Sequence, residues 1–66
     1  MRYSISINDV SVRDFKTFGE YANYNFVYVS FLFNSDHNTV SVHSNDLDEF
    51  IEACRMLFML IKKEVA

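Results

Sequence analysis

With 66 residues, a formal net charge of −3 and one cysteine, the chain is short, mildly acidic and unable to form an internal disulfide. Half of its residues are hydrophobic and 17% are aromatic, which excludes a disordered chain. We expect residues 1–66 to form one small domain. A single glycine and no proline exclude a glycine-rich phosphate-binding loop. The chain opens with alternating residues instead of an apolar signal-peptide core, so we expect a cytoplasmic protein.

The first predicted element is a short strand. Tyr3–Ile7 alternates apolar residues with serines, which is the pattern of a half-buried strand, and Asn8–Asp9 follows with turn chemistry. The segment Val10–Ala22 leaves two alternatives, a returning hairpin strand or a short helix capped by Ser11 and ended by Gly19. We favour the short helix, because Phe15 and Phe18 suit a helical face better than an alternating strand.

A second strand is predicted from Tyr24 to Phe33, where β-branched and aromatic residues dominate. Both of its faces are apolar, which favours a central strand or one covered on both sides. One face carries Val27, Val29, Phe31 and Phe33, and the other carries Tyr24, Phe26, Tyr28, Ser30 and Leu32. A polar loop over residues 34–38 then leads into a returning strand, Thr39–His43, so the two strands form a hairpin.

The last third of the chain, Asp46–Val65, predicts one long amphipathic helix. Asp46 is the expected N-cap, with Glu49 three residues later completing a capping box. The stripe expected to face the core consists of Leu47, Phe50, Ile51, Cys54, Leu57, Phe58, Ile61 and Val65. A second apolar face holds Ala53, Met56, Met59 and Leu60, and we expect it to be an oligomer interface, because a domain this small cannot wrap a helix completely.

Together these elements predict an α+β fold. It has a three-stranded, mainly antiparallel sheet with the long C-terminal helix packed across one face, and a short helix as the favoured alternative before the central strand. The helix stripe is expected to pack on Val27, Val29, Phe31, Val40, Val42, Ile5 and Ile7. The reverse of the sheet, with Phe26, Tyr28 and Leu32, is left uncovered unless the Val10–Ala22 segment or another chain packs there. Two leftover apolar surfaces favour a homodimer.

No arrangement of residues indicates catalysis, a cofactor or a metal ion. Asp36, His37 and His43 fall short of the three or four converging ligands of a zinc site. Cys54 lies on the apolar stripe of the helix and is interpreted as a small buried hydrophobe. No serine lies in a nucleophile motif, so we expect a protein that is not an enzyme.

The function expected from the sequence is that of a protein-binding module, a homodimeric acidic binding or inhibitor protein of the size and charge common in phages and mobile elements. No Lys or Arg lies between Lys16 and Arg55, while that span is acidic, which suits a basic protein partner. The expected partner-binding acids are Asp46, Asp48, Glu49 and Glu52. The alternative is a single-stranded nucleic-acid binder that stacks bases on Tyr24, Phe26 and Tyr28, and a membrane partner is not expected.

Overall fold

Three strands and two helices make up the chain in a computed structural model, which describes the backbone of residues 1–65 and the side chains of residues 1–61. Along the chain they are β1 (Tyr3–Ile7), α1 (Val12–Asn25), β2 (Val29–Asn34), β3 (Thr39–Ser44) and α2 (Leu47–Val65). The strands form an antiparallel sheet in the order β1-β3-β2. The predicted α+β class and the long C-terminal helix are therefore confirmed.

The central strand is β3, and it pairs with β1 on one side and β2 on the other. Val42 lies between Ile5 and Phe31, and the next row places Val40 between Ile7 and Phe33. The prediction that Tyr24–Phe33 forms a central strand is wrong in two respects, since β2 begins only at Val29 and lies at a sheet edge. Its two apolar faces reflect a covered inner face and an exposed Leu32 on the other side.

The helix α1 begins where the sequence predicts and runs further than it predicts. The Ser11 hydroxyl accepts a hydrogen bond from the Asp14 backbone N–H at 3.1 Å, which makes Ser11 the N-cap. Gly19 does not end the helix; it is buried within it, and a Cβ at this position would lie 3.3 Å from the Phe31 ring. The glycine therefore allows α1 to approach β2 closely.

Tertiary contacts extend α1 to Asn25. Ala22 is buried, and the Phe26 N–H closes the helix by donating to the Ala22 carbonyl. The Phe26 ring packs edge-on against Tyr21, with centroids 5.7 Å apart. Tyr24 therefore belongs to a helix and Phe26 to its C-cap, although their residue types favour a strand.

Both helices pack on the same face of the sheet. Phe15 of α1 stacks on Phe33 with ring centroids 4.9 Å apart, and Phe50 of α2 lies 5.8 Å from Tyr3. The core between the layers consists of Ile7, Val10, Phe18, Ala22, Val40, Val42, Ala53 and Leu57. Val27 is not part of it, contrary to the prediction, because it precedes β2 and is exposed.

The reverse of the sheet is bare of helices, and we call it the open sheet face. Neither α1 nor the loop before it covers this face, which answers the question that the sequence left open. Its strand residues are mainly small and polar: Ser4, Ser6, Ser30, Leu32, Thr39, Ser41 and His43. Within the described residues, no helix combines the length and the apolarity needed to cross a membrane.

Candidate functional site

Two of the four acidic residues predicted to bind a partner are engaged inside the molecule. Asp46 is the N-cap of α2, because its carboxylate accepts the Glu49 N–H at 3.0 Å. The Glu49 carboxylate does not return to Asp46 to complete a capping box. It accepts the backbone N–H groups of Val27 and Tyr28 at 3.0 and 2.8 Å, and so ties the start of α2 to the loop before β2. The Asp46 N–H is instead satisfied by the Ser44 hydroxyl.

The other two acids remain at the surface. Asp48 is exposed, and Glu52 is exposed with its carboxylate 3.3 Å from the Arg55 guanidinium one turn later. The exposed Glu52–Arg55 pair contributes little to stability, and the exposed Asp48 carboxylate can act in long-range attraction of a basic surface.

The four residues predicted to form an oligomer interface do not share one exposed face. Ala53 is 0% exposed and belongs to the core, while Met56 and Leu60 are half-buried against it. Met59 is exposed, but it stands apart from the other three. The predicted sides of α2 are therefore only partly right: Leu57 is buried and Phe50 and Ile61 pack against the core as predicted, whereas Ala53 is buried instead of exposed. Because the helix is apolar almost all round from Met56 to Ile61, its periodicity does not settle which side is buried.

The exposed apolar side of α2 is instead formed by residues predicted to be buried. Leu47, Ile51 and Phe58 are 47%, 43% and 45% exposed, and Cys54 between them is half-buried. We call these four residues the apolar stripe. Their spacing of four, three and four is that of a helix face that packs against a partner. Val65, the last member of the predicted stripe, lies outside the residues whose side chains are described.

The apolar stripe lies on the β1 side of the molecule. Phe50 contacts Tyr3 of β1, whereas Glu49 contacts the loop before β2, so these two residues mark the opposite flanks of α2. At 100° per residue, the stripe lies further round the helix on the Phe50 flank, away from Glu49. Tyr3 and Ile5 of β1 are only half-buried beneath this flank, so the apolar surface continues from the helix to the edge strand.

The three aromatic residues predicted to stack nucleic-acid bases do not share a sheet face. Tyr24 lies near the end of α1, Phe26 packs against Tyr21, and Tyr28 precedes β2. Only Tyr28 reaches the open sheet face. There it lines a polar cleft of about 140 Å³ together with Arg2, Ser30, His43, Ser44 and Asn45.

The residues considered for metal binding or nucleophilic chemistry lie apart. His37 is in the β2–β3 loop and His43 is on β3, and among the described residues no group of three or more His, Cys, Asp or Glu is placed to hold a metal ion. Burial raises the pKa of the Cys54 thiol, so it stays protonated at neutral pH and is a poor nucleophile.

Comparisons with protein-family models, with characterised proteins and with solved structures find no match to this chain. The apolar stripe is an exposed apolar helix side, a kind of surface that marks interaction sites in many proteins.

Proposed function

We propose that this chain is a non-enzymatic protein-binding module that works through the apolar stripe of α2. The observation that carries the proposal is the exposure of Leu47, Ile51 and Phe58 on one flank of a helix whose adjoining side packs on the core. Large apolar side chains aligned on a helix and left in water favour association, because their burial against a partner releases free energy in proportion to the area covered.

Charge gives this surface a preference among partners. Among the described side chains of the same helix, Asp48 and Glu52 are exposed acids, and the chain as a whole is acidic. We propose that a partner other than a second copy has a basic rim around an apolar groove, since complementary charge speeds association and suppresses wrong partners.

Affinity capture from cells that make the protein tests the proposed function. The immobilised chain is compared with Phe58→Asp, which places a charge in the apolar stripe, and with Leu32→Asp, which places the same charge on the open sheet face. We expect a protein that is retained by the wild type and by Leu32→Asp and lost with Phe58→Asp, because a buried unpaired charge opposes binding. Identical captured sets for all three chains would contradict the proposal.

A further inference from the structure

We propose that a second copy of this chain covers the apolar stripe, and that the two copies join edge to edge through β1 into one six-stranded antiparallel sheet. This inference rests on the proposed function, because it takes the apolar stripe as the interaction surface and names its occupant. It also involves the unpaired backbone edge of β1 beside the stripe, and a geometry in which one partner covers the edge and the stripe together.

The first support is the edge itself. β1 lies at one end of the sheet order, so alternate N–H and C=O groups of this strand face away from β3. Proteins usually protect such an edge with a charged residue, a proline or a bulge. Tyr3–Ile7 contains no charged residue and no proline, and it pairs with β3 in unbroken register. Nothing within the strand prevents another strand from pairing with it.

The second support is the difference between the two edges. β2 forms the other edge and lies beneath α1, whose exposed side mixes polar and charged residues with the separate apolar side chains of Val12, Tyr21 and Tyr24. The β1 edge instead lies beside the apolar stripe and the half-buried Tyr3 and Ile5. Pairing at β1 therefore covers the aligned side chains of the apolar stripe and the backbone groups of the strand edge together.

The third support is symmetry. Two β1 strands paired antiparallel are related by a twofold axis normal to the sheet, which makes the interface self-complementary and closed. This axis keeps each face of the sheet continuous. Ser4 and Ser6 of both copies extend the open sheet face, and Ile5 and Ile7 of both copies extend the face beneath the helices.

The fourth support is the direction of the helices. The same axis sets the two α2 helices antiparallel, so that their dipoles oppose one another instead of aligning.

The area that such an interface needs is a small share of the surface of this chain. A standard interface buries about 800 Å² of accessible surface per partner, which is roughly a sixth of the 4747 Å² of this chain.

Sedimentation velocity over a dilution series tests whether the occupant is a second copy. We expect the wild type and Leu32→Asp to dimerise, and Ile51→Asp to dimerise at least about tenfold more weakly, because it removes an apolar contact and introduces a charge. Leu47→Lys is a second stripe variant, for use if Ile51→Asp loses its helical circular dichroism. A wild-type chain that stays monomeric at high concentration would overturn the proposed occupant.

Hydrogen exchange followed by NMR tests the edge. In a monomer, alternate amides of β1 face water and exchange quickly; in the proposed dimer all of them from Ser4 to Ile7 are protected. We expect this added protection in concentrated wild type and its loss in Ile51→Asp, while β2 keeps its fast alternate amides in both. A dimer whose alternate β1 amides stay fast would overturn edge pairing.

The two proposals fail in different experiments. If the chain is monomeric and still captures a protein through the apolar stripe, the proposal that a second copy covers the stripe is wrong and the proposed function stands. Suppose instead that the chain forms a β1-paired dimer and that Phe58→Asp captures the same proteins as the wild type. That result would support the dimer and contradict the proposed binding of other proteins through the apolar stripe.

Discussion

Glu49 shows how one side chain joins two parts of this fold. A single carboxylate oxygen accepts both the Val27 and the Tyr28 N–H, which belong to the short loop between α1 and β2. Those two amides have no strand partner in the sheet register, so the carboxylate satisfies donors that would otherwise depend on water. Glu49 thereby anchors the loop directly before β2.

Replacing Glu49 by alanine should therefore destabilise the protein by about 1–2 kcal/mol, since it removes two hydrogen bonds to a charged acceptor at a half-exposed site. Glu49→Gln keeps one acceptor oxygen and should cost less. The matched control is Asp48→Ala, which removes an exposed acid from the same helical turn and should change stability by no more than about 0.5 kcal/mol. Urea unfolding at one protein concentration measures all three, and equal effects of Glu49→Ala and Asp48→Ala would contradict this role.

The sequence predicts the cap that Asp46 forms but not the contacts that Glu49 makes, and the reason is physical. A helix cap is a local contact over three residues, so the spacing of Asp46 and Glu49 before an apolar run was enough to find it. The bonds from Glu49 cross 21 and 22 residues of sequence. No local pattern reports them, and an acid in the first turn of a helix is already explained by the dipole.

At the scale of elements, periodicity predicts the existence of α2 and part of its buried side, including Leu57, but misplaces the rest. Ala53 and Leu57 face the core, whereas Leu47, Ile51 and Phe58 face solvent. Both sides of the helix have apolar residues at spacings of three and four, so either could have been buried. Where the helix rests on the sheet decides between them, and that depends on contacts distant in sequence.

Local propensity fails in a similar way between Gly19 and Tyr28. Glycine commonly ends a helix, and Tyr24, Phe26 and Tyr28 alternate as a strand would, so the sequence predicts a short helix and an early strand. Packing overrides both preferences. Because Gly19 has no side chain, the Phe31 ring can pack directly against the helix at this position. Ala22 is buried about one turn later, so the helix continues past the glycine.

Gly19 provides the element-scale prediction. Leucine is a far better helix former than glycine, yet Gly19→Leu should destabilise the protein by about 2 kcal/mol or more. The Phe31 ring cannot withdraw easily, because Phe15 and Phe18 pack edge-on against it at 5.8 and 5.3 Å. The control Glu20→Leu makes a comparable change at the next, exposed position and should be near neutral. Thermal unfolding compares them, and a Gly19→Leu chain as stable as the wild type would show that the close approach is not limiting.

At the scale of the whole molecule, the fold separates two unlike surfaces. The helix layer carries most of the charged residues and the apolar stripe, while the open sheet face is made largely of serine and other small polar side chains. Arg2 and the His43 imidazole line its cleft. This separation distinguishes the two functional classes considered, because protein binding would use one surface and nucleic-acid binding the other.

The open sheet face should not bind single-stranded nucleic acid at physiological salt. Such binding needs several basic groups along the backbone path and aromatic rings on which bases stack, and this face offers one arginine, one histidine and Tyr28. The chain also repels polyanions through its net charge of −3. Fluorescence anisotropy with short labelled DNA and RNA strands at about 0.15 M salt should therefore show no micromolar binding. The opposite result would be micromolar binding that falls steeply with added salt. If Arg2→Ala and Tyr28→Ala both weakened that binding and Phe58→Asp left it unchanged, the open sheet face would be the functional surface.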